Sequence, residues 1–254
     1  IMIAYESCVV NMRITVSAAT TLSLLHVRPP TPRCTVHANI FGDIFGDDSK
    51  LKAQKPYEKP LLPAQVKGDA ASYVLKEKLM SFSGEDFSVR DTAGDEVIKV
   101  EGANVNLGGV VVDKLYFKHE GEQFMSVERR IIATTTCYDI YRDGECIAKI
   151  DKEMFSVTPE YKFFYEGDAN PFPDFTASGT FSERSYTFKA GGDTIARVSR
   201  GEEAFRDVDT YQVEVAAGVD AAAIIAVAIV IDEDHDEMDK KELEDEQKGG
   251  WPFG

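Results

Sequence analysis

The sequence predicts a mainly β domain over residues 69–232, a barrel or sandwich of about twelve strands around one buried apolar segment. Three observations predict it. A hairpin-like unit recurs four times, with glycine in its turns. Eleven consecutive apolar residues, Ala221–Ile231, stand near the end of that stretch. A chain of 254 residues with 43% hydrophobic content is long enough for one sizeable core with extensions at both ends.

In chain order, residues 1–38 come first. They hold Arg13, Arg28 and Arg33 against Glu6 alone, and no acid stands between Met12, the expected initiator, and Asp43. Basic, hydroxylated and acid-poor composition is that of a transit peptide. Val36-His37-Ala38 resembles the processing site of algal chloroplast precursors. The expected compartment is the plastid, on its stromal side. A mitochondrial presequence shares the composition, and a secretory signal centred on Leu22, Leu24 and Leu25 is a third reading.

Residues 39–68 read as an N-terminal extension and linker. The repeat NIFGDIFGDD places Ile40, Phe41, Ile44 and Phe45 at helical spacing, an apolar peg for a partner or a membrane surface. Two glycines weaken any helix there, and tucking against the main domain is the competing reading. Residues 49–65, rich in Lys, Pro and Gln, carry linker composition.

The recurring unit appears as FSVRDTAGDEVIKV, LYFKHEGEQFMSVE, YDIYRDGECIAKI and YTFKAGGDTIARVS. Each opens on apolar residues two apart: Phe87/Val89, Leu115/Phe117, Tyr138/Ile140 and Tyr186/Phe188. Period two followed by a glycine turn is the signature of a β-hairpin. Further strands are expected near 72–82, 106–113, 131–136, 161–166, 175–181 and 209–215. Short hairpins in series favour a barrel or sandwich, which removes or shields sheet edges. A two-residue turn at Asp143–Gly144 sets Tyr141 opposite Cys146 and Cys137 opposite Ile150, too far apart along the ladder for a disulfide.

Ala221–Ile231 spans about 16 Å as a helix, half a bilayer core, and Asp220 and Asp232 close it off. Its six β-branched residues also suit a buried strand. Asp220 as an N-cap favours the helix. A helix apolar on every side must be enclosed on every side.

The order and spacing of YVLKEKLMSFSGEDFSVRDTAGDEVIKVEG, YDIYRDGECIAKI, IARVSR, DTYQVEV and VDAAAIIAVAIVID resemble the tubby C-terminal-like superfamily, nearest its LURP-one-related branch and more distantly the phospholipid scramblases. The resemblance implies a closed antiparallel barrel of about twelve strands around one central apolar C-terminal helix, residues 220–231. It also implies phospholipid or phosphoinositide binding. Tubby proteins hold headgroups with lysine and arginine clusters, and the densest basic residues here are Lys76, Lys78, Arg129 and Arg130.

Residues 233–254 form an acidic tail ending in an aromatic peg. From 232 to 246 the chain holds ten acids and two lysines, a solvated and partly disordered extension by composition. Asp232, Asp234, Asp236 and Asp239 start like a calcium loop, but Glu237 stands where glycine is needed and Leu243 where glutamate is needed. Trp251 and Phe253, after Gly249-Gly250, are expected to dock on this domain or on a partner.

Net charge is −16, and −18 without the leader, which repels phosphate backbones and excludes nucleic acid as the expected partner. After the leader only His119 and His235 remain, neither in a triad pattern, and no phosphate-loop, dinucleotide, zinc or Cys-x-x-Cys motif is present. The sequence thus predicts no enzyme, no cofactor and no metal. A third reading, an enzyme or small-ligand protein using the barrel interior, is disfavoured because the central segment should fill that interior, and two functions compete ahead of it. One is a plastid binding or scaffold protein, an accessory subunit of a photosynthetic membrane complex docked through Ile40, Phe41, Ile44, Phe45, Trp251 and Phe253. The other is a lipid-binding protein in peripheral contact with a membrane, with no transmembrane helix.

Overall fold

The computed structural model describes residues 50–77, 87–107, 110–130, 136–153, 159–200 and 210–248, with backbone alone over 104–113 and 236–248. In chain order the strands are β1 (Ala71–Glu77), β2 (Phe87–Asp91), β3 (Glu96–Leu107), β4 (Val110–His119), β5 (Glu122–Arg129), β6 (Cys137–Arg142), β7 (Glu145–Glu153), β8 (Glu160–Tyr165), β9 (Phe175–Thr180), β10 (Ser185–Ala190), β11 (Asp193–Ser199) and β12 (Thr210–Val215). Each pairs antiparallel with the next, and β12 pairs with β1, so the sheet closes into a barrel. Closure leaves no unpaired edge.

The four repeated units are the hairpins β2–β3, β4–β5, β6–β7 and β10–β11. Their leading apolar residues, from Phe87 to Phe188, all point inward with at most 7% exposure. Three turns are pairs of left-handed residues: Glu120-Gly121, Asp143-Gly144 and Gly191-Gly192. Such pairs match the twist of the flanking strands.

All four hairpins share a β-bulge straight after the second leading residue, between Val89/Arg90, Phe117/Lys118, Ile140/Tyr141 and Phe188/Lys189. The extra residue on the returning strand is Val97, Phe124, Ile147 or Ile195, apolar each time and packed on or in the core. A bulge raises local twist and bends the strand, as a narrow barrel requires. It also corrects one expected pairing: Tyr141 does face Cys146, but Cys137 faces Asp151, and Tyr138 takes Ile150. Both cysteines are free thiols. The strand expected at 106–113 is instead the adjoining ends of β3 and β4. Of the one expected at 131–136, residues 131–135 lie outside the described residues.

The apolar segment begins helix α1 (Ala221–Lys248) and threads the barrel, every residue of Ala221–Ile231 at most 2% exposed. Valine and isoleucine are mediocre helix formers, but an interior walled by strands offers no ladder for another strand, so enclosure decides. Asp220 is the N-cap: its Oδ1 accepts the amide of Ala222 at 3.1 Å. The acidic run does not form a partly disordered extension as far as Lys248, for the backbone continues the same helix. Its nucleus is already fixed inside the barrel, and Asp236/Lys240 and Glu237/Lys241 stand four residues apart.

Alternating strand direction puts the bulged turns, the β8–β9 loop and the start of α1 at one end of the barrel. Residues 51–66 strap that end. The amide of Lys52 donates to Thr194 O and that of Gln54 to Ala217 O, both at 2.8 Å. Tyr57 stacks on Tyr165 with ring centroids 3.8 Å apart. Leu61 and Leu62 are buried, and Val66 bridges Asp220. The linker-like stretch thus packs as part of the core, anchored by its few apolar residues.

At Gly218 (φ +79°) a Cβ would overlap the carbonyl oxygen of Gln54. Gly218→Ala is expected to lift the strap and lower stability by about 1–3 kcal/mol, read by denaturant unfolding, with faster proteolysis between Lys50 and Lys67.

Candidate functional site

The barrel is filled, so its polar chemistry lies at its two ends and on its wall. At the strapped end, Asp220 is buried with three donors besides Ala222. The Leu61 amide reaches its Oδ2 at 2.5 Å, Tyr165 Oη reaches it at 3.2 Å, and the Leu62 amide adds to them. Burial holds its carboxyl above the usual carboxylate range, against those donors. Arg142 ties the strap to the β4–β5 hairpin by donating to Leu61 O and, at 3.2 Å, to Phe124 O.

At the other end α1 leaves through a polar collar. Lys152 and Tyr161 meet Asp234 Oδ2 at 2.5 and 2.6 Å. Burial beside that carboxylate drives the Tyr161 hydroxyl pKa upward. Arg184 grips Asp232 through Nε at 2.9 Å and Nη2 at 2.8 Å, and its guanidinium lies 4.9 Å over the Tyr211 ring. These are structural ion pairs. The sequence contains one clue to them: Lys152 occupies the inward register of β7 after Ala148 and Ile150, and an inward cation needs a partner. Asp234 is hidden among ten acids, and only helical continuation past Ile231 turns it inward.

Of the headgroup candidates, Lys76 lies apart from the neighbouring Arg129 and Arg130. Lys76 is exposed on β1, whereas Arg129 ends β5, with β2, β3 and β4 between them. Arg130 is held by Asp139 through Nε at 2.9 Å and Nη2 at 2.5 Å, with Asp168 at 3.1 Å. The Asp139 carboxylate drives its pKa still higher. Lys78 lies outside the described residues, as do Ile40, Phe41, Ile44, Phe45, Trp251 and Phe253.

Grooves mark the wall among the described residues. One of about 430 Å³ runs between Lys114, Phe124, Glu128, Tyr141 and Arg142. Another, about 280 Å³, lies beside Glu101, whose carboxyl is pulled down to about 2 by Lys118 and Lys99. His119 Nδ1 sits 2.6 Å from Val97 O, and His235 lies 6.1 Å from the Phe181 ring. Among the described residues no group of acids, histidines and cysteines is arranged to hold a metal ion, and the continuous helix leaves no calcium loop at 232–243.

The sequence model of one protein family, described as LURP-one-related, matches residues 71–232. No curated protein matches the sequence. Among solved structures, the X-ray structure of a protein from Arabidopsis thaliana matches with a TM-score of 0.52 and 15% identity, covering 70% of this chain and 99% of that one. Identity this low carries the fold alone.

Lys152→Met strands the buried Asp234 carboxylate, and a loss of about 3–5 kcal/mol is expected in denaturant unfolding. Lys152→Met with Asp234→Leu is expected to recover more than half of that loss.

Proposed function

Because the chain belongs to the LURP-one-related family, we propose that it is a non-enzymatic binding protein that acts through the outside and the ends of a filled barrel. One observation carries this reading: Ala221–Ile231 occupies the interior at no more than 2% exposure, where a ligand or substrate would otherwise sit. Of the buried charges, Lys152, Asp220 and Asp234 are committed to holding the helix in place, and Asp139 is committed to Arg130. The remaining surface is a mosaic of paired charges under a net charge of −16, suited to protein contacts rather than nucleic acid.

The finer reading is a plastid scaffold, an accessory subunit of a photosynthetic membrane complex. It rests on the acid-poor leader ending at Ala38 and on the apolar pegs Ile40, Phe41, Ile44, Phe45, Trp251 and Phe253. No helix among the described residues is long and apolar enough to cross a membrane, so contact with such a complex falls to surfaces and pegs. The lipid-binding alternative draws on family likeness and on exposed Lys76, with the Arg130 guanidinium already engaged by two carboxylates.

Deleting residues 39–48 and 249–254 is expected to abolish co-purification with the complex while leaving the unfolding midpoint within a few degrees. Unchanged association removes the peg reading. Salt-sensitive binding to anionic liposomes, weakened by Arg129→Gln with Arg130→Gln, would instead select the lipid alternative.

A further inference from the structure

Among the described residues one large apolar side chain is exposed: Phe172, at 75%. Leaving a phenylalanine ring in water forgoes about 1.5–3 kcal/mol of burial. A single exposed ring on a floppy loop is ordinary. Phe172 is not on a floppy loop. It sits at the tip of the β8–β9 connection, residues 166–174, at the strapped end of the barrel.

Every part of that connection is tied down. The Glu166 amide donates to Ile147 O and the Asp174 amide to Phe163 O, both at 2.9 Å. Asp174 Oδ2 accepts from the Tyr165 amide and from Asn170 Nδ2, both at 2.8 Å. Asn170 Oδ1 in turn accepts the Phe172 amide at 3.2 Å. Asp168 reaches Lys149 and Arg130 on the wall, each at 3.1 Å. Glu166 (φ +63°) and Gly167 (φ +59°) are both left-handed, and a Cβ on Gly167 would stand 3.1 Å from Cys146 Sγ. Pro171 and Pro173 flank Phe172: each fixes its own φ, and Pro173 biases Phe172 towards extended backbone.

We infer that this connection is a rigid docking finger, with Phe172 inserting into an apolar pocket of a protein partner whose rim is basic. Pre-ordering removes most of the entropy lost when a loop is immobilised on binding. The rim is set by charge: the same connection carries Glu166, Asp168 and Asp174, of which Asp168 is shared with Lys149 and Arg130, and the whole chain is at −16. The same charge opposes insertion of the ring into an anionic membrane. This inference rests on the reading of the chain as a binding protein, but not on its terminal pegs.

The test uses the full chain carrying benzoylphenylalanine at position 172, and in a control at the exposed position Glu183 at the opposite end of the barrel. Irradiation in an extract of the source cells is expected to give a discrete protein adduct from 172 and not from 183. The same adduct is expected from a chain lacking residues 39–48 and 249–254. The partner, identified from the cross-linked peptide and purified, is expected to bind Phe172→Ala at least tenfold more weakly than the native chain, with Phe172→Trp retained and affinity falling as salt rises. No adduct above the control, equal binding of Phe172→Ala, or salt-independent binding overturns the finger. So does a Phe172-dependent interaction found instead with phosphatidylcholine/phosphatidylserine vesicles. A partner lost on deleting the ends but indifferent to Phe172 removes the finger and leaves the proposed function standing.

Discussion

A helix with no polar face has one requirement, enclosure on every side, and the rest of the structure follows from meeting it. Ala221–Ile231 exceeds what a sheet face or a helical partner can cover. A sheet closed on itself does cover it, and the helix returns the favour by filling a barrel that strand side chains alone would leave hollow. Five alanines among the eleven residues keep the rod thin beside the inward rings of Phe117, Phe163, Phe175 and Phe188.

An apolar rod in an apolar tube could slide, and the polar ends prevent it. A slip of one turn, about 5.4 Å, would drag Asp234 and Asp232 from Lys152 and Arg184, or pull Asp220 from Leu61 and Tyr165. Each uncompensated buried carboxylate costs several kcal/mol. The apolar stretch thus supplies the driving force and the three aspartates supply the depth. The strap belongs to the same device, since Leu61 gives Asp220 its amide and gives Arg142 its carbonyl.

Much of this was legible in the residues, and what was not has identifiable causes. The four hairpins and the inward pairs follow from period two and glycine turns. The eleven-residue apolar run marked a buried segment that suited helix and strand alike, and its helical form rested on Asp220 as N-cap and on the family resemblance. Register at Cys137 was lost to a bulge, although a signal was present: the consecutive apolar pairs Val97-Ile98, Phe124-Met125, Ile147-Ala148 and Ile195-Ala196 break strict alternation at the same place in every unit. The strap was masked by its Lys, Pro and Gln content, because Leu61, Leu62 and Tyr57 are too few to make a periodic pattern. Acidic composition outweighed helical spacing beyond Asp232. Phe172 could not be recognised from Asn-Pro-Phe-Pro, since exposure and rigidity are properties of Asp174 and Asn170 acting across the loop.

The same charges that stabilise the wall limit what it can attract. Lys99 and Lys118 share Glu101, Lys114 pairs with Glu128, Lys149 with Asp151 and Asp168, Lys162 with Glu153, and Arg197 with Glu214. Individually such exposed pairs contribute little to stability. Collectively they spend these cations on neighbouring acids, so among the described residues these lysines build no broad positive face. Among those residues, cations already shared with acids leave little field to draw an anionic ligand. On the proposed reading as a binding protein, local shape rather than field would carry recognition, with the excess acid favouring basic surroundings.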